Sequence, residues 1–260
     1  MQPRDLQMLC DIALAAGREV MDVYGTDFSS VQKDDDSPLT QADLRSDQVI
    51  REGLERAFPG VFILSEESSP QAQGNHESFF LVDPLDGTKE FLKRNDEFTV
   101  NIALVDRGVP VAGIVFAPAL GELYSGAKGQ GAWKRKDGAT QALLTQAPAA
   151  GAPLRVIGSR SHGGDGLARW LSQLTGEHTF VAAGSSLKFC RIAEGAADVY
   201  PRLGPTSQWD TAAAQAVLES AGGAVLEAQG GDLRYGLQRP ILNPYFIALA
   251  DRAMQVPPLV

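Results

Sequence analysis

Apolar residues recur at helical spacing in two segments near the start of the chain. Residues 3–24 carry an apolar residue every three or four positions, which predicts one amphipathic helix. A second helix is predicted to begin near Thr40 and to end before Pro59-Gly60. Continuous apolar runs follow at 61–64 and 79–82, and such short runs are typical of buried strands.

The rest of the pattern indicates an α/β protein. Residues 98–134 are rich in strand patterns separated by turns, and residues 137–153 are rich in Ala, Gly and Pro. The second half alternates between predicted strands at 154–158, 178–183, 197–203 and 223–227 and predicted helices at 165–174, 185–194 and 210–220. We therefore expect a layered fold with an N-terminal lobe of 1–148, a C-terminal lobe of 149–260, and a ligand site between them.

Composition and charge narrow the classes of partner. The 260 residues include 23 Lys and Arg against 32 Asp and Glu, a net charge of −9, which argues against a nucleic-acid polymer as partner. A small phosphorylated substrate stays compatible, because bound cations can supply positive charge. The N-terminus lacks a signal-peptide core, and the longest uncharged apolar stretch, 109–120, is too short to span a bilayer. Cys10 and Cys190 fall in helical patterns and are expected to be buried free thiols in a reducing, cytoplasmic compartment.

The segment VDPLDGT ends the apolar run at 79–82 with two carboxylates. Pro84 lies between Asp83 and Asp86 and has a fixed φ angle, which makes the segment rigid. Gly87 follows and tolerates backbone angles that other residues resist. A turn of this kind can aim both carboxylates and the carbonyl of Leu85 at one point. Asp, Pro and Gly also favour ordinary surface turns, so the motif alone leaves both interpretations open.

Two further carboxylates extend the candidate site. Glu66 follows the predicted strand at 61–64, and neighbouring strands that end together would bring it beside Asp83 and Asp86. Asp210 opens the predicted helix at 210–220, where it could be a fourth ligand or only a helix N-cap. Clustered carboxylates repel unless they bind cations, and a set of oxygen ligands without Cys or His suits Mg²⁺. Glu66 taken alone is equally compatible with a solvated loop acid.

Candidate anion-binding residues lie in the second half of the chain. The segment Gly184-Ser185-Ser186-Leu187-Lys188 places free amides and a lysine at a predicted helix start, which attracts phosphate. His162 lies in a polar loop, and Arg202 precedes Asp210 by a few residues. Each has a simpler interpretation as a solvated side chain or a helix cap.

Three motifs in this order, SEE, DPLDGTKEF and WDTAA, resemble the inositol monophosphatase superfamily of Mg²⁺-dependent, lithium-sensitive phosphatases. DPLDGTKEFLKRNDEFTVNIAL, GSSLKFC and YPRLGPTSQWDTAA are most similar to its CysQ branch, the bacterial 3′(2′),5′-bisphosphate nucleotidases. The resemblance covers nearly the whole chain and implies a layered α-β-α-β-α sandwich. Ala214 departs from the glycine common at that position, and we expect its methyl group to narrow the sugar pocket slightly.

The resemblance also implies roles for individual residues. Two or three Mg²⁺ ions per site would be bound by Glu66, Asp83, the Leu85 carbonyl, Asp86 and Asp210. Asp43 and Thr88 would activate the attacking water, although TQAD at 40–43 is also close to a helix capping box. The implied substrate contacts are Glu66, Leu85, Asp86, Gly87, Thr88, His162, Gly184, Ser185, Lys188, Arg202 and Asp210.

The implied reaction removes the 3′-phosphate of adenosine 3′,5′-bisphosphate to give AMP and phosphate. The resemblance extends to the related phosphosulfate nucleotide of sulfur assimilation, and some members of the branch are associated with the inner face of a membrane. An inositol monophosphatase is the near alternative, and a non-catalytic nucleotide- or metal-binding module is an alternative of another class. The sequence leaves the oligomeric state open.

Overall fold

The fold is taken from a computed structural model that describes residues 2–27, 30–32, 38–68, 76–149, 151–159 and 164–259. The helices are α1 (Pro3–Tyr24), α2 (Gln41–Ala57), α3 (Thr88–Leu92), α4 (Gly164–Ser172), α5 (Leu187–Ala193) and α6 (Gln208–Ser220). The strands are β1 (Ser30–Gln32), β2 (Pro38–Thr40), β3 (Phe62–Ser65), β4 (Ser78–Asp86), β5 (Thr99–Asp106), β6 (Val109–Ala117), β7 (Glu122–Ala127), β8 (Gly131–Lys136), β9 (Ala139–Leu143), β10 (Leu154–Ser159), β11 (His178–Ala183), β12 (Val199–Arg202), β13 (Ala224–Glu227) and β14 (Phe246–Leu249).

Two large sheets organise the molecule. The first has seven strands in chain order from β3 to β9; β3 and β4 are parallel, and the remaining pairs are antiparallel. The second has five strands in the order β11-β10-β12-β14-β13. Its strands β11, β10 and β12 are parallel, whereas β14 runs antiparallel to both neighbours.

Alternating side chains on the strands bury both faces of each sheet. Phe80 and Val82 of β4 pack with α1 and α2, whereas Phe79 and Leu81 of the same strand face the core shared with α5, α6 and the second sheet. Trp170 of α4 packs on the far face of the second sheet. The layers are therefore α1/α2, sheet, α5/α6, sheet and α4, which confirms the predicted α-β-α-β-α sandwich.

Most predicted elements are present, with several corrections. β9 lies inside the segment 137–153 that was predicted to be a linker, and β14 and α3 were not predicted. The helix predicted at 185–194 covers only Leu187–Ala193, and the one predicted to begin at Asp210 begins at Gln208. The division into lobes of 1–148 and 149–260 stays a prediction, because one continuous core cluster includes residues of both sheets.

Two smaller sequence predictions can be compared with the structure. Cys10 and Cys190 are buried and free, as expected. Within the described ranges, no helix has the length and apolar character needed to cross a membrane.

Candidate active site

The parallel pairing of β3 and β4 brings two carboxylates to one edge of the first sheet. Ser65 is in register with Val82, and the Glu66 amide donates a hydrogen bond to the Val82 carbonyl at 3.1 Å. Glu66 therefore follows directly alongside Asp83, as the sequence predicted. Asp83 is buried, with 1% of its surface exposed, whereas Glu66 is partly exposed.

The predicted turn around Pro84 is instead the bulged end of β4. The ladder to β5 pairs Asp83 with Asn101 and resumes only at Asp86, so the register shifts between the two aspartates. The bulge re-aims the strand, and the Leu85 amide donates to the Asp83 carboxylate at 3.1 Å. Gly87 then turns the chain into α3 with a φ of +89°, in the region that favours glycine.

Asp210 reaches the same place from α6. It occupies the third position of the helix, and its carboxylate accepts a hydrogen bond from the Ser207 amide at 2.8 Å. Asp210 is therefore part of a capping box and not the N-cap residue that was one interpretation of the sequence. Carboxylate oxygens of Glu66, Asp83 and Asp210 lie within 4.8 Å of one another.

The electrostatics of this cluster favour a bound cation. Burial raises the pKa of Asp83 well above its usual range, and the charges of Glu66, Asp86 and Asp210 raise it further. Burial followed by the charge of Asp86 likewise raises the pKa of Asp210. Among the described residues, no lysine or arginine forms an ion pair with Asp83 or Asp210. The oxygen-only donor set fits a hard divalent cation such as Mg²⁺.

Asp86 connects the two sheets at the site. One of its oxygens accepts hydrogen bonds at 2.7 Å from both the amide and the hydroxyl of Ser186, and Asn101 donates to it at 3.3 Å. The Ser186 hydroxyl oxygen also lies 2.8 Å from the Asp210 carbonyl, so its single proton is shared between the two acceptors. The Ser186 amide was predicted to be available to a phosphate. In the structure it donates its hydrogen bond to Asp86 instead. Ser185 adopts a φ of +41°, a sparsely populated conformation for a non-glycine residue.

Thr88 and Asp43 are in contact, although 45 residues separate them. The Thr88 hydroxyl lies 3.4 Å from the Asp43 carboxylate and 3.3 Å from the Leu85 carbonyl. Asp43 also accepts hydrogen bonds from the amide and hydroxyl of Thr40 at 2.8 and 2.7 Å, which completes the capping box of α2. The cap and the proposed catalytic contact therefore coexist, since each uses a different oxygen of Asp43.

These groups surround a cavity of about 260 Å³ between the two sheets. Nearly all of the predicted site residues line it: Glu66, Asp83, Leu85, Asp86, Gly87, Thr88, Gly184, Ser185, Lys188, Arg202 and Asp210. Asp43 lies behind Thr88 and is not part of the lining, and His162 lies outside the described residues. Ala214 belongs to the shared core cluster and is not among the lining residues, so the expected narrowing of a sugar pocket is wrong.

Lys188 and Arg202 supply positive charge to the lining of the cavity. Both are largely buried, with 6% and 8% exposure. The Lys188 ammonium donates to the Ser185 carbonyl and lies 5.4 Å from the centre of the Tyr200 ring. Arg202 donates to the carbonyl of Pro205 at 2.6 Å. Burial lowers the pKa of Lys188 to about 8, and the charge of Asp86 opposes that shift.

Two buried polar residues that support the site were missed in the sequence. Asp47 accepts hydrogen bonds from the hydroxyls of Ser65 at 2.5 Å and Ser68 at 2.6 Å, which flank Glu66 on both sides. Asn101 donates to Asp86 and, at 2.8 Å, to the Ser186 hydroxyl. An acid on the inner face of the second helix and an asparagine inside the apolar strand TVNIALV were the available signals.

Comparison with known proteins identifies the relatives of this chain. The sequence model of the Inositol monophosphatase family matches residues 2–255. The 3′(2′),5′-bisphosphate nucleotidase CysQ of Salmonella typhimurium is 48% identical over 93% of this chain and 98% of its own length. The crystal structure of CysQ from Bacteroides thetaiotaomicron superimposes with a TM-score of 0.82 at 35% identity, covering 95% of this chain and 97% of that chain.

A second solved structure extends the likeness beyond the nucleotidases. Inositol monophosphatase from Anabaena gives a TM-score of 0.74 at 27% identity over 98% of this chain and 96% of that one. The family match over residues 2–255 and a relative that is 48% identical over 93% of this chain show that the chain belongs to the inositol monophosphatase family.

Proposed function

We propose that the protein is a Mg²⁺-dependent 3′(2′),5′-bisphosphate nucleotidase that removes the 3′-phosphate of adenosine 3′,5′-bisphosphate, giving AMP and phosphate. The observation that carries the proposal is the composition of the cavity between the sheets. The lining contains a carboxylate cluster whose burial and mutual repulsion call for cations, and it also contains Lys188 and Arg202. Similarity to proteins named bisphosphate nucleotidase supports the same assignment.

Phosphatases of this family are metal-dependent, and we assign two or three Mg²⁺ ions to this site. The protein ligands would be Glu66, Asp83, the Leu85 carbonyl, Asp86 and Asp210. Bound Mg²⁺ would supply the positive charge that phosphoryl transfer needs on the phosphoryl oxygens and at the attacking and leaving oxygens. Asp86 offers one oxygen for this purpose, since its other oxygen is engaged by Ser186.

Thr88 and Asp43 would handle the proton of the attacking water. The Thr88 hydroxyl lies between the cavity and Asp43, so it accepts a hydrogen bond from the water and donates its own proton to the Asp43 carboxylate. Hydrogen bonds from Thr40 hold the other Asp43 oxygen and fix the orientation of the carboxylate. General-base assistance of this kind typically contributes 10²–10⁴-fold in rate.

Lys188 and Arg202 would recognise the part of the substrate that distinguishes a bisphosphate nucleotide from inositol phosphate. The carboxylate cluster serves a phosphate that both substrates possess. The two cations line the same cavity and match the second anionic group, which only the nucleotide carries. Their burial makes each charge-assisted hydrogen bond stronger than it would be in water.

The proposal is tested by measuring phosphate release in Mg²⁺ from a panel containing adenosine 3′,5′-bisphosphate, its phosphosulfate relative and inositol 1-phosphate. We expect the nucleotides to be preferred and all activity to be abolished by a chelator and restored by Mg²⁺. Preference for inositol 1-phosphate would favour an inositol monophosphatase. Absence of phosphate release from every substrate would favour a non-catalytic binding module.

A Lys188→Met variant tests the specificity argument directly. Methionine keeps the buried stem of the side chain but removes the charge, and one charge-assisted hydrogen bond is worth about 1.5–3 kcal/mol. We expect kcat/KM for adenosine 3′,5′-bisphosphate to fall roughly ten- to a hundredfold. The rate with inositol 1-phosphate should hardly change, so an equal loss on both substrates would assign Lys188 a structural role.

A further inference from the structure

The hairpin of β7 and β8 presents charged residues to both of its faces, and the two faces differ in how those charges are neutralised. Leu123 is in register with Arg135, and Tyr124 with Lys134, so odd and even positions point to opposite sides. The even face packs towards α5. There Lys134 lies 3.0 Å from Glu122 and 2.6 Å from Glu194 and is fully paired.

The odd face packs towards α1 and carries a cation without such a partner. The Nη2 atom of Arg135 is buried and has no hydrogen-bond partner among the described residues. The Arg135 side chain also lines a cavity of about 260 Å³ between α1 and the hairpin, together with Leu6, Cys10, Leu123, Ser125 and Trp133 among others. We call this cavity the α1–hairpin pocket. It shares no lining residue with the candidate active site.

A buried donor without a partner is costly, and native proteins rarely retain one without a reason. The chain has a net charge of −9, yet no described carboxylate forms an ion pair with Arg135. The pocket has room for about nine water molecules at roughly 30 Å³ each, which is enough for a compact organic ligand.

We propose that the α1–hairpin pocket is a binding site for a small organic monocarboxylate with a flat apolar body. The guanidinium of Arg135 matches a carboxylate geometrically and supplies a single positive charge, which suits a monoanion better than a phosphate dianion. Leu6, Leu123 and Trp133 form apolar walls on which a flat body can pack. The remaining polar lining, which includes Ser125, is neutral.

Binding at this site is non-covalent. Cys10 is the nucleophilic side chain in the lining, but burial raises the pKa of its thiol to about 11. The thiol is therefore protonated near neutral pH and is a poor nucleophile. Its contribution is to the shape and the apolar character of the pocket.

Fluorine NMR of the full chain tests the proposal with benzoate as the probe. Protein containing 5-fluorotryptophan has three resonances, because the sequence has three tryptophans, and a Trp133→Phe variant identifies the signal from the pocket. Trp209 adjoins Asp210 and reports separately on the active site. We expect benzoate to shift the Trp133 resonance saturably, with a roughly millimolar Kd for a ligand of this size, and to leave the Trp209 resonance unchanged.

Matched probes and variants separate charge from shape. Neutral benzamide and acetate, which lack the charge and the flat body respectively, should each bind about tenfold more weakly or worse. Arg135→Gln should weaken benzoate binding by a similar factor, and the exposed Arg107→Gln should not. The resonances of Trp170 and Trp209 show whether each variant is folded, and Arg135→Met is a second variant without the charge.

Several outcomes would overturn the proposal. These are no saturable shift at Trp133, equal binding of benzoate and benzamide by the unmodified protein, and undiminished binding by Arg135→Gln. Inorganic phosphate that binds as tightly as benzoate would reject the organic monocarboxylate in favour of a simple oxyanion. The comparison of benzoate with benzamide needs no variant, so a failure of Arg135 variants to fold does not weaken the test.

Discussion

Two clusters of carboxylates lie at opposite ends of α5 and are neutralised in different ways. At the cluster near Glu122, the chain supplies its own cations: Lys134 and Lys136 lie 3.0 Å from Glu122, and Arg191 lies 2.7 Å from Glu194. At the candidate active site, the oxygens of Glu66, Asp83 and Asp210 lie within 4.8 Å of one another and no described lysine or arginine forms an ion pair with Asp83 or Asp210.

The pKa values of the two clusters shift in opposite directions. Burial raises the pKa of Asp83, and its acidic neighbours raise it further. Burial also opposes ionisation of Glu122, but hydrogen bonds from Lys134 and Lys136 and the charge of Arg191 outweigh it and lower the pKa to about 2. The comparison teaches that burial alone does not set the state of a carboxylate. The counter-charge decides it, and at the candidate active site that charge has to come from outside the chain.

The helix α5 ties the two clusters together. Ser186, at its N-terminal end, donates two hydrogen bonds to Asp86 in the cavity. Arg191, near its C-terminal end, pairs with Glu194 and lies 3.0 Å from Glu122. The self-neutralised cluster therefore anchors one end of the helix whose other end contributes to the candidate site.

The largest expected effect is on catalysis by Asp83→Asn. This change removes a ligand charge where metals would neutralise the phosphoryl group, so we expect phosphate release from adenosine 3′,5′-bisphosphate to fall at least about a hundredfold. Glu122→Gln should stay within about threefold of the unmodified rate, measured well below its melting temperature. Asp106→Asn, at the opposite end of the same strand pair, is the matched control. Near-normal turnover by Asp83→Asn would reject the assigned metal site.

The next effect concerns stability, which we expect to depend more on the Glu122 cluster than on the candidate active site. Glu122→Gln removes one of the two carboxylates that neutralise Lys134 and Arg191 and leaves only Glu194, which should cost about 2 kcal/mol or more of unfolding free energy. The melting temperature should fall by roughly 4–8 °C at this chain length. Glu77→Gln, which breaks an exposed pair with Arg107, should cost less than about 1 kcal/mol. Similar losses for both variants would show that the Glu122 cluster is not a stabilising anchor.

Metal binding should stabilise only through the candidate active site. Mg²⁺ at about ten times its Kd should stabilise the folded protein by roughly 1.4 kcal/mol, and a chelator should remove this gain. Thermal melts with and without Mg²⁺ measure the effect. We expect Glu122→Gln to keep the full Mg²⁺ response and Asp83→Asn to lose most of it. An intact response in Asp83→Asn would place the bound ion elsewhere.

The smallest effect is the acid dependence of the self-neutralised cluster. The folded pKa of Glu122, about 2, lies below its ordinary value of 4.5. Its stabilising contribution is therefore present above pH 4.5 and is lost as the pH falls towards 2. Between pH 4 and pH 3 the unmodified protein should lose about 1 kcal/mol more unfolding free energy than Glu122→Gln. Urea denaturation in chelator at both values measures this difference, and parallel losses would contradict the assigned pairing.

Local patterns in the sequence were sufficient for the elements that bury a regular apolar face. The long helix at 3–24 follows from helical periodicity, and the strands predicted at 61–64 and 79–82 follow from continuous apolar runs. The position of Glu66 beside Asp83 was predicted from neighbouring strands that end together. β9 was missed because four of its five residues are exposed and carry no apolar run. The bulge at Pro84 was taken for a turn, because Asp, Pro and Gly favour both structures.

The sequence by itself determined the layered fold, the family and the identity of the acidic residues, because these depend on periodicity and on motifs in order. Only the tertiary structure decided which of those carboxylates are neutralised by lysine or arginine side chains of the same chain. Asp83 and Glu122 both adjoin apolar runs and look alike in the sequence. Only the folding of β8 and α5 against β7 brings Lys134 and Arg191 to Glu122, across separations that no local pattern records. Electrostatic interactions act through distance in space, so the carboxylates of Asp83 and Glu122 have opposite pKa shifts although both are buried.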